Sequence, residues 1–391
     1  MKKNFLLLSA MALSITMASC SSDDQAVAGP IDLQQPDQIE LGVNKVGVEQ
    51  AITRSGISAT AFSGTESLGL FIFDQSISSG AAQAADNYLK GGVATPTLNI
   101  QYQRTVGTSV TWEAATPIIL SSTVGKVYAY YPWAEGNTNA TAIPVTVAAD
   151  QGTGQSDGTA DANGQTDYMW ATPVADKSNA AGAANHTVDL TMNHALAMVS
   201  FNIQQAASAA DLYPGLGLVS SIVLENTAAA TQNVVRTGSG TMNLNNGTIT
   251  KAYDALDANA ITVVPTNRTA AGSNMVQNAA TVGTGAGHKM SDGTTDYTQA
   301  YQPRVLVYPF QDDTNGIKTG EVQVTATVDG SDYTVSLPAI SADNKGWLPG
   351  YNYLYTLTMK GTGLVVEDVT ITAWVPSVQG EFDLNTPNAA P

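Results

Sequence analysis

The sequence predicts an all-β protein built as two consecutive β-sandwich domains. Three observations carry this expectation. Apolar residues alternate with polar ones at a period of two in many short runs. The runs follow one another closely, separated by Gly, Asn and Asp turn residues. Few long stretches read as amphipathic helix.

Taken in chain order, Ile39, Leu41 and Val43 fall on one face of an extended strand. After Asn44-Lys45 a second alternating set begins with Val46, Val48, Gln50 and Ile52. Leu68-Gly69-Leu70-Phe71-Ile72-Phe73 is a compact apolar run, and residues 98–102 and 127–131 alternate. A polar, Gly- and Asp-rich stretch at 150–165 reads as a loop. Strand character returns at 167–171, 188–192 and 198–203. Residues 204–212 are rich in Ala and Ser, Tyr213-Pro214-Gly215 is a turn signal, and the domain boundary is placed near residue 208. The second block continues in the same style at 219–225, 240–244, 261–264, 305–310, 322–328, 333–337, 353–359 and 364–374. Residues 268–298 read as an exposed loop.

The chain has 391 residues, enough for two or three domains. Only 13% of them are charged, about half the usual share, and acidic residues outnumber basic ones 33 to 16. Phosphate binding needs clustered Lys and Arg, so this surface does not favour nucleic acid. The single cysteine, Cys20, excludes an internal disulfide and multi-cysteine metal sites.

That cysteine has a telling position. Lys2 and Lys3 precede a short apolar run at 5–17, too short to span a bilayer and typical of a secretory signal. Met17-Ala18-Ser19-Cys20 closes it and resembles the lipobox of bacterial lipoproteins, in which the thiol accepts the lipid. Residues 1–19 are therefore expected to be a signal peptide. Ser21-Ser22-Asp23-Asp24 resembles a surface-export tag and equally suits a solvated linker.

Motifs for chemistry are weak. Gly154-Gln155-Ser156-Asp157-Gly158 fits G-x-S-x-G but lies in a polar stretch without the strand and helix a nucleophile elbow needs. Gly283-Thr284-Gly285-Ala286-Gly287-His288-Lys289-Met290 lacks the Gly before Lys and the Ser or Thr after it that a phosphate loop needs. His186 and His194 lie about 26 Å apart along an extended chain, too far for one metal ion. Asp312-Asp313-Thr314-Asn315-Gly316 has turn character without the spacing of a calcium loop. The tryptophans at 112, 133, 170, 347 and 374 suit sugar stacking or, more commonly, a core. No enzyme, cofactor or metal is expected.

Taken together, several stretches resemble the fimbrillin family, the subunits of type V pili. They are the lipobox at Cys20; Thr53-Arg54 followed by Phe62-Ser63-Gly64; Val127-Tyr128-Ala129-Tyr130-Tyr131-Pro132-Trp133; Asp167-Tyr168-Met169-Trp170-Ala171 before Leu190-Thr191-Met192-Asn193-His194; and Gly350-Tyr351-Asn352-Tyr353 leading to Val369-Thr370-Ile371-Thr372-Ala373-Trp374. The resemblance implies transthyretin-like sandwiches at 55–207 and 208–391. It implies a lipidated precursor on the outer-membrane surface, cut by an Arg-specific protease after Arg54, so that the mature chain begins at Ser55.

The segment 20–54 would then be a tether and removable strand (Ile39, Leu41, Val43, Val46, Val48). Its departure opens a groove that another pilin subunit fills head to tail. The candidate donor is 364–384, through Val369, Ile371, Ala373, Val375, Val378, Phe382 and Leu384. Strand addition suits such a groove, because it covers apolar side chains and pairs backbone groups together. An alternative stays open: a monomeric surface lipoprotein acting as pilus anchor, or an adhesin for glycans, a host or another bacterium.

Overall fold

The computed structural model describes residues 39–48, 57–58, 61–62, 65–76, 88, 98–106, 110–151, 165–205, 213–215, 219–251, 259–263, 277–278, 288–289, 296–297, 304–311, 316–340, 346–361 and 363–373. The fold is all-β, as expected. The longer strands in the first part are β1 (Gly42–Val48), β2 (Ser67–Asp74), β3 (Ile100–Val106), β4 (Val110–Glu113), β5 (Gly125–Tyr131), β6 (Ile143–Val147), β7 (Met169–Ala171), β8 (Val174–Lys177) and β9 (Thr187–His194). Then come β10 (Ala197–Gln205), β11 (Val219–Asn226), β12 (Gly238–Met242), β13 (Ala260–Val263), β14 (Arg304–Val307), β15 (Val322–Val328), β16 (Ser331–Ser336), β17 (Tyr351–Lys360) and β18 (Gly363–Ala373). A one-turn helix at Ala183–His186 leads into β9. No described helix is long and apolar enough to cross a membrane.

Where the sequence leads one to expect a first sandwich, the sheet closes on itself. Seven strands run β5-β2-β3-β4-β1-β9-β7, and β7 returns to β5 through Tyr130 opposite Trp170 and Tyr131 opposite Met169. Closure removes exposed sheet edges and leaves one enclosed interior. Leu68, Leu70 and Ile72 of β2, Val127 and Ala129 of β5, and Val188, Leu190 and Met192 of β9 fill it. Period-two alternation explains this directly: β9 reads buried at each of these three and at His194, and open between them.

β2 and β5 are buried on both faces, hence their near-continuous apolar sequences. Their outward Phe71, Phe73, Tyr128 and Tyr130 belong to a second core. Gly69 makes room for one of these rings, since a Cβ there would stand 2.0 Å from Tyr130.

The second core is shared with later strands. One sheet pairs β10 in parallel with β17, with β14 on the other side of β10 and β18 at the edge beyond β17. Another runs β13-β11-β15-β16, and β12 pairs with β6. Val199 and Phe201, Ile222 and Leu224, Val324 and Ala326, and Tyr353 and Tyr355 meet in this core. The boundary expected near residue 208 falls outside the described residues. The strand before it, β10, is hydrogen-bonded to β17 and β14.

Candidate functional site

Of the expected functional residues, one set lies together in the structure: Ile39, Leu41, Val43, Val46 and Val48, at the slot occupied by β1. This strand lies between β9 and β4 and completes the closed sheet. It runs parallel to β9, from Gly42 opposite Thr187 to Val48 opposite Met192. Its contact with β4 is a single antiparallel pair, Val43 opposite Trp112. One side of the strand is therefore held by a full ladder and the other by one rung.

Inward side chains hold it further. Leu41, Val43 and Val46 are buried in the barrel interior at 1%, 8% and 8% exposure, and Ile39 and Val48 pack against it half-buried. Burial of an aliphatic side chain of this size is worth about 1.5–3 kcal/mol. The three buried residues alone thus contribute on the order of 4.5–9 kcal/mol of holding free energy. The same surface would face water once the strand had gone.

Spacing within the strand is not uniform. Val43 faces Val188 and Lys45 faces Asp189, so the register skips Asn44. This bulge explains why the inward residues read 41, 43, then 46 and 48. The Asn44 side-chain amide donates to Asp189 Oδ1 at 2.8 Å, across the exposed face.

Upstream of the strand, Leu41 N donates to Ile118 O and Leu120 N donates to Ile39 O, both at 2.8 Å. The Tyr102 hydroxyl donates to Leu41 O at 2.8 Å. Burial pushes the Tyr102 phenol up to about 12, partly offset by the Ile118 backbone N–H. Beyond β1, Phe62 lies in the same interior, edge-on to Trp112 at 5.3 Å between ring centres.

Arg54 and Ser55 lie outside the described residues, as does Cys20. Of the candidate donor residues, Val369, Ile371 and Ala373 lie in β18, paired with Tyr355, Tyr353 and Tyr351 of β17. Val369 and Ile371 pack half-buried on the second core. Val375, Val378, Phe382 and Leu384 lie outside the described residues. Sequence reading missed the contact of Trp112 with β1, and it missed that Val188, Leu190 and Met192 are the neighbours of β1. Their alternation announces a strand but not its partner.

Of the chemical motifs, residues 154–158, 283–287 and 312–315 lie outside the described residues. His194 Nδ1 lies 3.0 Å from Asp167, with side chains 0% and 6% exposed, so a substrate could not reach the pair. The ring of His186 meets Ala180 O at 2.7 Å. No group of three or more His, Cys, Asp or Glu suited to a metal occurs among the described residues. Trp112 and Trp347 are core residues, and Trp133 and Trp170 pack against the second core. The exposed large apolar side chains among the described residues are Val106, Val110 and Val124, none of them aromatic.

Comparison with known proteins agrees with this architecture. Residues 53–374 match the family model described as fimbrillin-like. A solved structure of a candidate cell adhesion protein from Bacteroides ovatus superposes with a TM-score of 0.54 at 14% identity, covering 86% of this chain and 98% of that one. A fimbrial protein from Bacteroides vulgatus gives 0.46 at 12% identity, covering 86% and 100%. The tip fimbrial protein Mfa3 from Porphyromonas gingivalis, truncated at its C-terminus, gives 0.41 at 10% identity, covering 79% and 94%. No curated protein sequence matches the chain.

Proposed function

The chain belongs to the fimbrillin-like family, and on that premise we propose that it is a structural subunit, stalk or tip, of a type V pilus. In this reading Cys20 carries the lipid of an exported precursor on the outer-membrane surface. An Arg-specific protease cuts between Arg54 and Ser55. The segment with Ile39, Leu41, Val43, Val46 and Val48 leaves, and a strand of a neighbouring subunit takes its place.

One observation carries the reading. β1 sits inside the closed sheet, fills its core with Leu41, Val43 and Val46, and is followed within a few residues by Arg54. A strand whose loss opens an apolar groove next to a basic cleavage position suits replacement by strand addition. The linkage is head to tail, so it generates an open filament. The domains are read as 55–207 and 208–391, with β10 contributing to the sheet of the second. The β10–β17–β18 and β13–β11–β15–β16 sheets over the second core are read as its transthyretin-like sandwich. The alternative of a monomeric glycan-binding adhesin draws no exposed aromatic face from the described residues.

The test is to treat purified full-length precursor with an Arg-specific protease and follow it by size-exclusion chromatography and mass spectrometry. The reading expects the segment through Arg54 to separate and larger species to form. A cut chain that keeps its segment and stays monomeric would overturn it.

A further inference from the structure

The stretch that fills the slot is held unevenly along its length. Ahead of the bulge at Asn44 both of its edges are bonded. On one side Gly42 and Val43 pair with Thr187 and Val188 of β9. On the other, Leu41 N donates to Ile118 O and Leu120 N donates to Ile39 O, both at 2.8 Å, and Glu40 bridges Ile119. The Tyr102 hydroxyl donates to Leu41 O, and Val43 faces Trp112.

Past the bulge one edge is bare. Lys45, Val46, Gly47 and Val48 keep the ladder to β9, from Asp189 to Met192. Among the described residues no strand pairs with them on the other side. β4 has diverged there: its rung to β1 is Trp112, and Val110, two residues earlier, is 51% exposed. Ala61–Phe62 passes beside β1 and pairs with Ile57–Ser58 instead. Gly47 brings no side chain to this half, and a Cβ built on it meets nothing within 4 Å. A glycine inside a strand weakens it, and a bulge interrupts the ladder. Backbone bonded on one edge only, beside open space, belongs to the part of a fold that opens first.

We propose that β1 opens in two steps, peeling back from Val48 to the bulge while Ile39–Val43 stays seated under a clamp formed by Tyr102 and Ile118. Val46 then leaves the interior before Val43 does. This opening is a property of the uncut chain. Its consequence for maturation rests on the pilus reading above. Arg54 lies six residues past Val48, so the loose half is the half next to the cut. Departure starts at the cut end and finishes at the clamp. Leu41 and Val43 stay inside until last, which limits the apolar surface shown to water while the strand leaves.

Thiol labelling of the purified full-length precursor reads the order. With Cys20→Ser the chain has no native thiol. In that background Val43→Cys and Val46→Cys place one thiol each on either side of the bulge, at positions that are both 8% exposed. Leu70→Cys, in the same interior on β2, sets the rate at which the whole sheet opens. After correction for rates in urea, Val46→Cys is expected to label roughly tenfold faster, or more, than the other two. Equal rates for Val43→Cys and Val46→Cys would mean that β1 opens as one piece. A faster Val43→Cys would mean that it opens from the other end, and a Val46→Cys no faster than Leu70→Cys that it does not open by itself. Each of these overturns the proposal. Hydrogen exchange of the unsubstituted precursor asks the same question without touching the core. The slowest amide of residues 45–48 is expected to exchange faster than the Leu41 amide, which donates to Ile118 O; equal protection would contradict the proposal. These outcomes leave the pilus reading standing. That reading falls instead if assembled surface material keeps the residues before Arg54, and the two-step opening of the precursor would survive it.

Discussion

Leu41→Ala separates a strand that leaves from one that stays. Leu41 is 1% exposed in the barrel interior, with its carbonyl held by the Tyr102 hydroxyl. Truncating a leucine in such a place costs about 2–5 kcal/mol through lost transfer energy and the cavity left behind. For a domain of this size, about 3 kcal/mol corresponds to a fall in melting temperature of roughly 6–12 °C. Under the proposed maturation this loss belongs to the precursor alone, because residue 41 departs with the cut segment. Leu70→Ala is the control: Leu70 lines the same interior at 0% exposure on β2, which is retained. Scanning calorimetry of precursor and assembled material should show Leu41→Ala lowering only the precursor and Leu70→Ala lowering both. Equal losses from Leu41→Ala in the two forms would mean that β1 is permanent, and the reasoning would fail.

Other expectations follow from the same geometry. Replacing Arg54 with Ala should leave the folded precursor unchanged in melting temperature and abolish assembly; multimers on a gel from this variant would count against cleavage there. Tyr102 loses its acceptor on Leu41 when the segment departs, so its phenol, raised to about 12 in the precursor, should ionise nearer the ordinary value of about 10 in the cut form. The sign follows from proton binding. Between those values the folded precursor keeps a proton that an exposed phenol has lost, so precursor stability falls as pH rises through this window. The difference in absorbance at 295 nm between wild type and Tyr102→Phe reports the shift, and an identical titration before and after cutting would contradict it. Gly247→Ala should destabilise either form by about 1–3 kcal/mol, because Gly247 has φ +70° and a Cβ there would lie 2.0 Å from Trp170 Nε1; urea denaturation followed by tryptophan fluorescence checks this.

The sequence discloses strands far better than it discloses their neighbours. Alternation located β1, β9, β11 and β15, because each is buried on one face, and located β5 as well, while the compact apolar run located β2. It overlooked β6, where Pro144 interrupts Ile143, Val145 and Val147. Pro144 is exposed there, and β6 pairs on one side only, with β12, so the missing N–H costs little. Closure of the first sheet was not legible. It depends on Tyr130 meeting Trp170 and on β1 lying parallel to β9, and both are pairings between segments far apart in sequence. For the same reason β10, read as the end of the first block, bonds with strands near the C-terminus.

The candidate site was legible in part. The inward residues of β1 were visible as alternation on either side of Asn44-Lys45, and the structure supplies the reason for the break, a bulge against Val188 and Asp189. The slot's two walls, Trp112 of β4 and Met192 of β9, carry no local signal of what they pair with, since any buried strand residue looks alike in one dimension. Val369 and Ile371 read as donor residues because they alternate. Alternation alone does not tell a strand that pairs with its own β17 from one that pairs with a neighbour.

The most direct test of the central claim is the N-terminal sequence of the protein sheared from the cell surface. The account predicts a start at Ser55, with the lipid and β1 left behind. A lipidated start at Cys20 in assembled material would contradict it, because β1 would then still fill the slot a neighbour's strand must enter.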